Sequence, residues 1–185
     1  MKFKKTAVEG AFVIHVNRIT DERGYFGRLW CSNALRELGL ETTIEQTNVG
    51  FSPKAGTLRG LHYQQPPHEE VKVMRCTRGA VFAVVLDIRV DSPTFRSWHG
   101  VELNPDNGLK LYFPEGCAAG YLTLEDDSEI YYSTSSFYAP EAATGVRFDD
   151  PYFAIEWPSD VRVISDNDKS WPDFSPVGAR SAAAK

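Results

Sequence analysis

The stretch from Thr57 to Gln64, TLRGLHYQ, places a cation, a glycine, a titratable ring and an amide close together. Successive side chains of a β-strand point to opposite faces. Alternation therefore predicts two faces, with Arg59, Leu61 and Tyr63 on one and Gly60, His62 and Gln64 on the other. A β-rich run with one lysine among apolar residues, VKVM, follows at 71–74. Together they indicate a polar site inside a β barrel, although a lone histidine on a strand is more often a hydrogen-bonded structural residue.

Four side chains would have complementary chemistry if folding brought them together: His62, Lys72, Tyr132 and Asp168. A neutral imidazole, with an ordinary pKa of about 6.5, can remove a proton at physiological pH. A carboxylate on its other nitrogen would fix the tautomer, and an ammonium beside a carbonyl oxygen would stabilise an enolate. A phenol across the cavity could return a proton from the opposite side. This set would invert a carbon next to a ketone, and we expect no metal, nicotinamide, flavin or other cofactor.

Spacing alone leaves other interpretations open for three of these residues. Tyr132 has the pattern of a core or rim aromatic, and Asp168 lies in SDNDK, which is typical of a turn with a solvated carboxylate. Lys72 lies between two valines, so alternation could equally point it outward.

Motifs for other chemistries are missing from the sequence. It contains no Gly-rich phosphate loop, GxSxG elbow or CxxC pair. The four histidines are His15, His62, His68 and His99. Their spacing forms neither a two-histidine strand motif nor an HExxH motif. We therefore expect no metal site.

Length and charge limit the class of protein. The 185 residues, 42% apolar and 24% charged, suit one sizeable globular domain. A net charge of −5 and a pI near 5.4 argue against a nucleic-acid-binding surface, but they allow a local cationic pocket for a phosphorylated small molecule. Three cysteines without regular spacing favour free thiols in a reducing compartment. No signal peptide or membrane span is evident, so we expect a cytoplasmic protein that binds neither nucleic acid nor membrane.

The elements that must position the site are short strands. AFVIHVNRI at 11–19 predicts a first strand, and DERG at 21–24 a turn. SNALRELGL at 32–40 is the best helix candidate, with Ser32 as cap and Gly39 at its end. Strands are then predicted at 44–49, 58–63, 71–77, 80–89, 98–103, 110–113, 120–124 and 129–135. Many short strands with regular turns indicate an all-β sandwich or barrel.

The last third of the chain is rich in Pro, Asp and aromatic residues. We interpret it as ordered excursions packed on the barrel by large rings, within a single domain over residues 1–185. Residues 176–185 are predicted to be a frayed tail. No internal repeat, low-complexity block or linker interrupts the chain.

The sequence resembles the dTDP-4-dehydrorhamnose 3,5-epimerase family of sugar-nucleotide epimerases. The resemblance runs from DERGYF at 21–26 to Asp168, nearly the whole chain. Between them, in fixed order, lie QTN at 46–48, LRGLHYQ at 58–64, VK at 71–72, Arg89 with DSPT at 91–94, PEG at 114–116, YAPE at 138–141 and DDP at 149–151.

The resemblance implies a cupin-type jelly roll, a double-stranded β-helix, with a few short peripheral helices. It also implies a homodimer in which the N-terminal strand region crosses to the partner subunit. It implies His62 as general base, Asp168 as its orienting carboxylate, Tyr132 as the opposite-face acid and Lys72 near the carbon 4 oxygen. The positions it implies for holding the nucleotide diphosphate and sugar are Arg23, Gln46, Asn48 and Arg59, with Phe26 and Tyr138 in the nucleotide pocket.

Three positions depart from the family pattern. Ala83 stands where the family usually has aspartate, Ala119 where it has histidine, and Arg28 where many members have glutamate. Losing both polar groups together avoids leaving one buried partner unsatisfied. The paired alanines are consistent with a merely apolar wall, or with a changed substrate or inversion at one carbon only.

Three functions follow from this pattern. The first is an epimerase acting at carbon 3, carbon 5 or both of a nucleoside-diphosphate 4-keto-6-deoxy sugar, with dTDP as the carrier. The alternatives are a nucleotide-sugar-binding protein with decayed catalysis and a keto-sugar isomerase on the same scaffold.

Overall fold

Two antiparallel sheets are built from the short strands that the sequence predicts. The computed structural model describes residues 1–176. The larger sheet has six strands in the order β1 (Lys2–Lys5), β2 (Phe12–His15), β10 (Leu109–Phe113), β7 (Lys72–Arg78), β12 (Ser128–Thr134) and β5 (Gln46–Ser52). The smaller has five in the order β13 (Ala143–Gly145), β6 (Leu58–Gln64), β11 (Cys117–Thr123), β8 (Val81–Asp87) and β9 (Trp98–Leu103). A hairpin of β3 (Arg18–Asp21) and β4 (Gly24–Gly27) stands apart from both.

The inward faces of the two sheets share one core. Met74 and Leu111 of the larger sheet pack in the same buried cluster as Val85 and Tyr121 of the smaller. Because side chains alternate along each strand, only one face of each strand contributes to this cluster. Two facing antiparallel sheets around one core form a cupin-type jelly roll, which confirms the predicted all-β fold class.

The outer faces of the sheets are covered by separate clusters. Helix α1 (Ser32–Arg36) packs Leu35 against Phe12, Ile14 and Val73 of the larger sheet. The aromatic-rich end of the chain covers the smaller sheet, where Phe153 is buried in a cluster with half-buried rings. The predicted packing of the last third by large rings is therefore confirmed.

A β-bulge in β6 changes which side chains share a face. In the pairing with β11, Ala119 is opposite His62 and Tyr121 is opposite Arg59, so three steps along β6 match two along β11. The extra residue reverses the alternation. The prediction that Arg59 and His62 lie on opposite faces is therefore wrong, because both line the same cavity.

Two glycines make this bulge possible. Gly60 has a φ of +129°, and a Cβ there would lie 2.6 Å from the Cα of Gly120. The backbones of these paired strands approach so closely that a side chain on Gly60 would force them apart.

Some element boundaries differ from the prediction. The segment 11–19 is not one strand: β2 ends at His15 in the sheet, and the chain then leaves it to form the exposed hairpin strand β3. Strand β1, with the polar sequence KFKK, was not predicted, because as an exposed edge strand it has little apolar pattern.

The predicted helix is shorter and capped differently. Cys31, not Ser32, is the N-cap, and regular helix ends at Arg36. The chain then turns through Gly39, which has a φ of +70°, and the Leu40 N–H donates to the Leu35 carbonyl. This 6→1 hydrogen bond is a helix-ending motif in which glycine is favoured.

Within residues 1–176, no helix is long and apolar enough to cross a membrane. The predicted frayed tail begins at residue 176, and residues 177–185 lie outside the described part of the chain.

Candidate active site

A cavity of about 1120 Å³ opens between the two sheets. Its lining includes eight of the predicted site residues, namely Gln46, Asn48, Arg59, His62, Lys72, Tyr132, Tyr138 and Asp168. The fold therefore brings together residues that are more than a hundred positions apart in the sequence.

His62 and Asp168 form a hydrogen-bonded pair at this cavity. The Nε2 atom of His62 lies 2.7 Å from Oδ1 of Asp168, and the second carboxylate oxygen accepts the Gly60 N–H at 3.2 Å. The Asp168 side chain is 7% exposed, whereas the His62 ring is 44% exposed. When the ring carries its proton on Nε2, Nδ1 keeps the lone pair that a base needs.

The hydrogen bonds to Asp168 determine its charge. Burial raises the pKa of this carboxyl, but hydrogen bonds from His62 and from the Gly60 N–H outweigh burial and hold it below its ordinary value. Asp168 is therefore a carboxylate at neutral pH, able to fix the tautomer of the ring and stabilise the imidazolium.

A short segment near the C-terminal end delivers Asp168 to the barrel. Val163 forms a parallel bridge with Thr57, just before β6. Helix α2 (Asp166–Lys169) follows, and the Ser165 hydroxyl caps it by accepting the Asp168 N–H at 3.0 Å. The turn-like sequence that suggested a solvated carboxylate thus forms a capped helical turn with a buried one.

The facing sheet supplies Tyr132 and Lys72. Tyr132 on β12 and Lys72 on β7 line the cavity, while His62 comes from the opposite sheet. Burial and the nearby charge of Glu70 raise the pKa of Tyr132, and Arg59 lowers it in part. The phenol is therefore protonated at neutral pH and able to act as an acid. Lys72 points inward, which decides between the two orientations that alternation allowed.

The remaining polar wall is held by contacts to the backbone. Arg59 donates from Nε to the Ser52 hydroxyl at 3.2 Å and from Nη2 to the Phe51 carbonyl at 3.0 Å. Gln46 accepts the backbone N–H of Tyr138 at 2.7 Å, which fixes the loop that carries this exposed ring at the cavity.

Arg23 and Phe26 lie outside this cavity in the single chain. Arg23 belongs to the turn of the β3–β4 hairpin, where its side chain is 82% exposed and pairs with Asp21. Phe26 lines a separate cavity of about 280 Å³ together with Arg18 and Arg75.

Glu70 and Trp171 are among the cavity residues that were not singled out from the sequence. Glu70 lies 3.0 Å from the Lys72 ammonium, and Trp171 adds an indole wall beside Gly145. The available signal for the first was the i, i+2 spacing of Glu70 from Lys72, which begins β7. Nothing local marks Trp171, since its position depends on the long-range docking of α2.

The paired alanines occupy different places. Ala119 lines the cavity directly opposite His62 in the β6–β11 pairing. Ala83 lies in the core and does not reach the cavity lining. Arg28 is exposed.

Among residues 1–176, no group of three or more His, Cys, Asp or Glu side chains is placed to hold a metal ion.

Comparison with known proteins identifies sugar epimerases as relatives of this chain. The sequence model of the family described as dTDP-4-dehydrorhamnose 3,5-epimerase matches residues 5–176. A dTDP-4-dehydrorhamnose 3,5-epimerase of Sinorhizobium fredii is 37% identical over 175 residues, covering 94% of this chain and 90% of the relative.

Solved structures of epimerases are similar over nearly the whole chain. The rmlC epimerase of Mycobacterium tuberculosis has a TM-score of 0.92 at 35% identity, covering 98% of this chain and 92% of that one. ChmJ, a 3'-monoepimerase of Streptomyces bikiniensis in complex with dTDP-quinovose, has a TM-score of 0.85 at 32% identity, covering 96% and 89%.

The jelly roll and its histidine–aspartate pair define an enzyme of the cupin-type sugar epimerases. Both the family match and the relatives at this identity assign the chain more narrowly. It belongs to the dTDP-4-dehydrorhamnose 3,5-epimerase family.

Proposed function

We propose that the protein epimerises carbon 3, carbon 5 or both of a dTDP-linked 4-keto-6-deoxy sugar. The observation that carries this proposal is the His62–Asp168 pair, which shares one cavity with Tyr132 and Lys72 of the facing sheet. A base and an acid on opposite walls are what inversion of a carbon centre requires.

The proposed reaction begins with proton removal. His62 takes the hydrogen from the carbon beside the ketone, and the electron pair of the broken C–H bond moves into an enolate. Lys72 donates a hydrogen bond to the enolate oxygen, and Asp168 stabilises the imidazolium. Tyr132 then protonates the carbon from the other face. His62 then releases its proton to solvent and Tyr132 regains one from solvent, so the product is an isomer of the substrate and no oxidation or reduction takes place.

Arg59, Gln46, Asn48 and Tyr138 are proposed to hold the nucleotide and sugar. A guanidinium suits a diphosphate because it presents several N–H donors in a fixed plane. The exposed ring of Tyr138 at the cavity suits stacking on a base.

A homodimer is proposed from two exposed apolar surfaces. Val49 and Phe51 point outward from β5, an edge strand of the larger sheet, and are 66% and 46% exposed. On the β3–β4 hairpin, Ile19 and Phe26 are about as exposed, at 70% and 67%. A second copy that covers both surfaces would remove this apolar area from water, and the hairpin would bring Arg23 and Phe26 to the partner's cavity.

A cytoplasmic location is also proposed. All three cysteines are free, and Cys76 and Cys117 are buried. Free thiols fit a reducing compartment.

Deuterium exchange tests the proposed reaction. The protein is incubated with dTDP-4-keto-6-deoxyglucose in deuterated water, and carbons 3 and 5 are followed by NMR. Deuterium at both carbons supports double epimerisation, and deuterium at one supports a restricted enzyme like the monoepimerase relative. Exchange at neither carbon above the protein-free control contradicts the proposal and favours a binding protein.

A further inference from the structure

A second carboxylate in the cavity has no role in the reaction described above. Of the described residues that line the cavity, only Glu70 and Asp168 are acidic. Asp168 is occupied by His62 and the Gly60 N–H. Glu70 instead lies 3.0 Å from Lys72, and both side chains are nearly buried, at 10% and 14% exposure.

The backbone fixes this pair. Val71, between the two charged residues, donates its N–H to the Ser135 hydroxyl at 2.8 Å and accepts the Ser135 N–H at 3.0 Å. Val71 itself is buried on the opposite face, in the cluster behind the larger sheet. The residues before and after it, Glu70 and Lys72, both line the cavity and lie side by side there.

We propose that Glu70 is a positioning residue of this site, whose carboxylate holds the Lys72 ammonium at the cavity wall so that another of its N–H donors meets the carbonyl oxygen of the sugar. The inference rests on the proposed function. A flexible four-carbon side chain with three donors has many rotamers, and a fixed partner for one donor restricts where the other two point. A nearly buried ammonium also needs a counter-charge, which Glu70 supplies.

The same carboxylate acts on Tyr132. In the β7–β12 pairing, Thr134 is opposite Lys72 and Tyr132 is opposite Met74. Tyr132 therefore lies two residues farther along the sheet than Lys72, on the same face. The negative charge of Glu70 raises the pKa of Tyr132, after burial, and Arg59 opposes it. The other ionisable groups that line the cavity are Lys72, His62, Asp168, Tyr63, Tyr121 and Tyr138. Glu70 thus helps keep the acid protonated while it positions the lysine.

The variant E70Q tests both effects, because glutamine keeps the shape of the side chain and removes its charge. E69Q is the matched control, since Glu69 is adjacent in sequence but does not line the cavity. Thermal unfolding first establishes that each variant is folded.

The first readout needs no substrate. In NMR of ¹⁵N-lysine-labelled protein, the Lys72 ammonium, assigned with K72R, is expected to give a slowly exchanging signal in the wild type and in E69Q. The signal should be lost in E70Q. Its persistence in E70Q, or its loss in E69Q, overturns the proposal.

The second readout is the pH profile of exchange into the sugar. E70Q is expected to lower kcat on the order of 10²-fold with a smaller change in KM, because the lysine is misplaced in the transition state. Its alkaline limb should move to lower pH, because the pKa of Tyr132 falls when the nearby negative charge is removed. A wild-type profile in E70Q contradicts the proposal. If the wild type catalyses no exchange at all, the proposed function fails, and the lysine signal alone decides the role of Glu70.

Discussion

In the proposed reaction, Asp168 determines which nitrogen of His62 is free to act as a base. Its Oδ1 atom lies 2.7 Å from His62 Nε2, and its carboxyl is held ionised by that contact and by the Gly60 N–H. A carboxylate can only accept a hydrogen bond, so it holds the proton of the neutral ring on Nε2 and leaves Nδ1 unprotonated. An amide in its place could donate as well as accept, which would allow the other tautomer.

D168N should therefore lower the exchange rate by about 10³-fold with little change in dTDP affinity. The measurement is steady-state exchange in deuterated water together with calorimetric titration of dTDP. D166N on the same short helix is the control, since Asp166 is exposed. An exchange rate in D168N equal to that of D166N would remove Asp168 from its orienting role.

At the scale of elements, the bulge in β6 places Arg59 and His62 on one wall. It depends on the close approach of Gly60 to Gly120, where a Cβ on Gly60 would lie 2.6 Å from the Gly120 Cα. Strand β6 thus contributes a guanidinium and an imidazole to the same cavity, which regular alternation does not allow.

G60A is expected to destabilise the protein by about 3 kcal/mol, because alanine would be strained at this φ and would clash with the Gly120 backbone. G39A is the matched control. Gly39 also has a positive φ, but a Cβ there meets nothing within 4 Å, so its cost should be about 1 kcal/mol. Urea unfolding of both variants measures the difference, and equal costs would show that the close crossing is unimportant.

Strand patterning predicted most of the elements but not how they interlock. The apolar runs of β7 to β9 were evident because both of their ends are marked by turns. The bulge at Gly60 was missed because its cause lies on another strand, at Gly120. Similarly, the residue types around Asp168 indicate a solvated turn, and only docking of α2 on β6 makes it a buried partner of His62. The pairing of Asp168 with His62 was therefore expected from the family resemblance and not from the local sequence.

Glu70 illustrates a different limit of prediction from the sequence. Its spacing from Lys72 was visible in the sequence, but whether this strand face points inward is decided by burial of Val71 and Val73 on the other side. Long-range packing therefore determines the function of a local charge pattern.

At the scale of the whole molecule, the proposed dimer would complete the site. One chain leaves Arg23 and Phe26 far from the cavity lining, on a hairpin whose apolar residues are exposed. If the hairpin crosses to a second copy, each site is composite: His62 comes from one subunit and Arg23 from the other.

Mixed dimers test this arrangement. R23A and H62N are each expected to be nearly inactive as separate proteins. When they are unfolded together and refolded, half of the dimers would contain one intact site, so activity should recover to about a quarter of the wild-type value. Two H62N preparations refolded together are the control. Absence of recovery, despite a dimer mass by light scattering, would contradict a composite site.

The most direct test of the central claim is deuterium exchange by H62N. Asparagine keeps a polar side chain in the cavity but cannot take up a proton, so exchange at carbons 3 and 5 should fall to the protein-free level while dTDP still binds. H68N is the control, because His68 does not line the cavity. Exchange by H62N at the wild-type rate would contradict the account that His62 is the base.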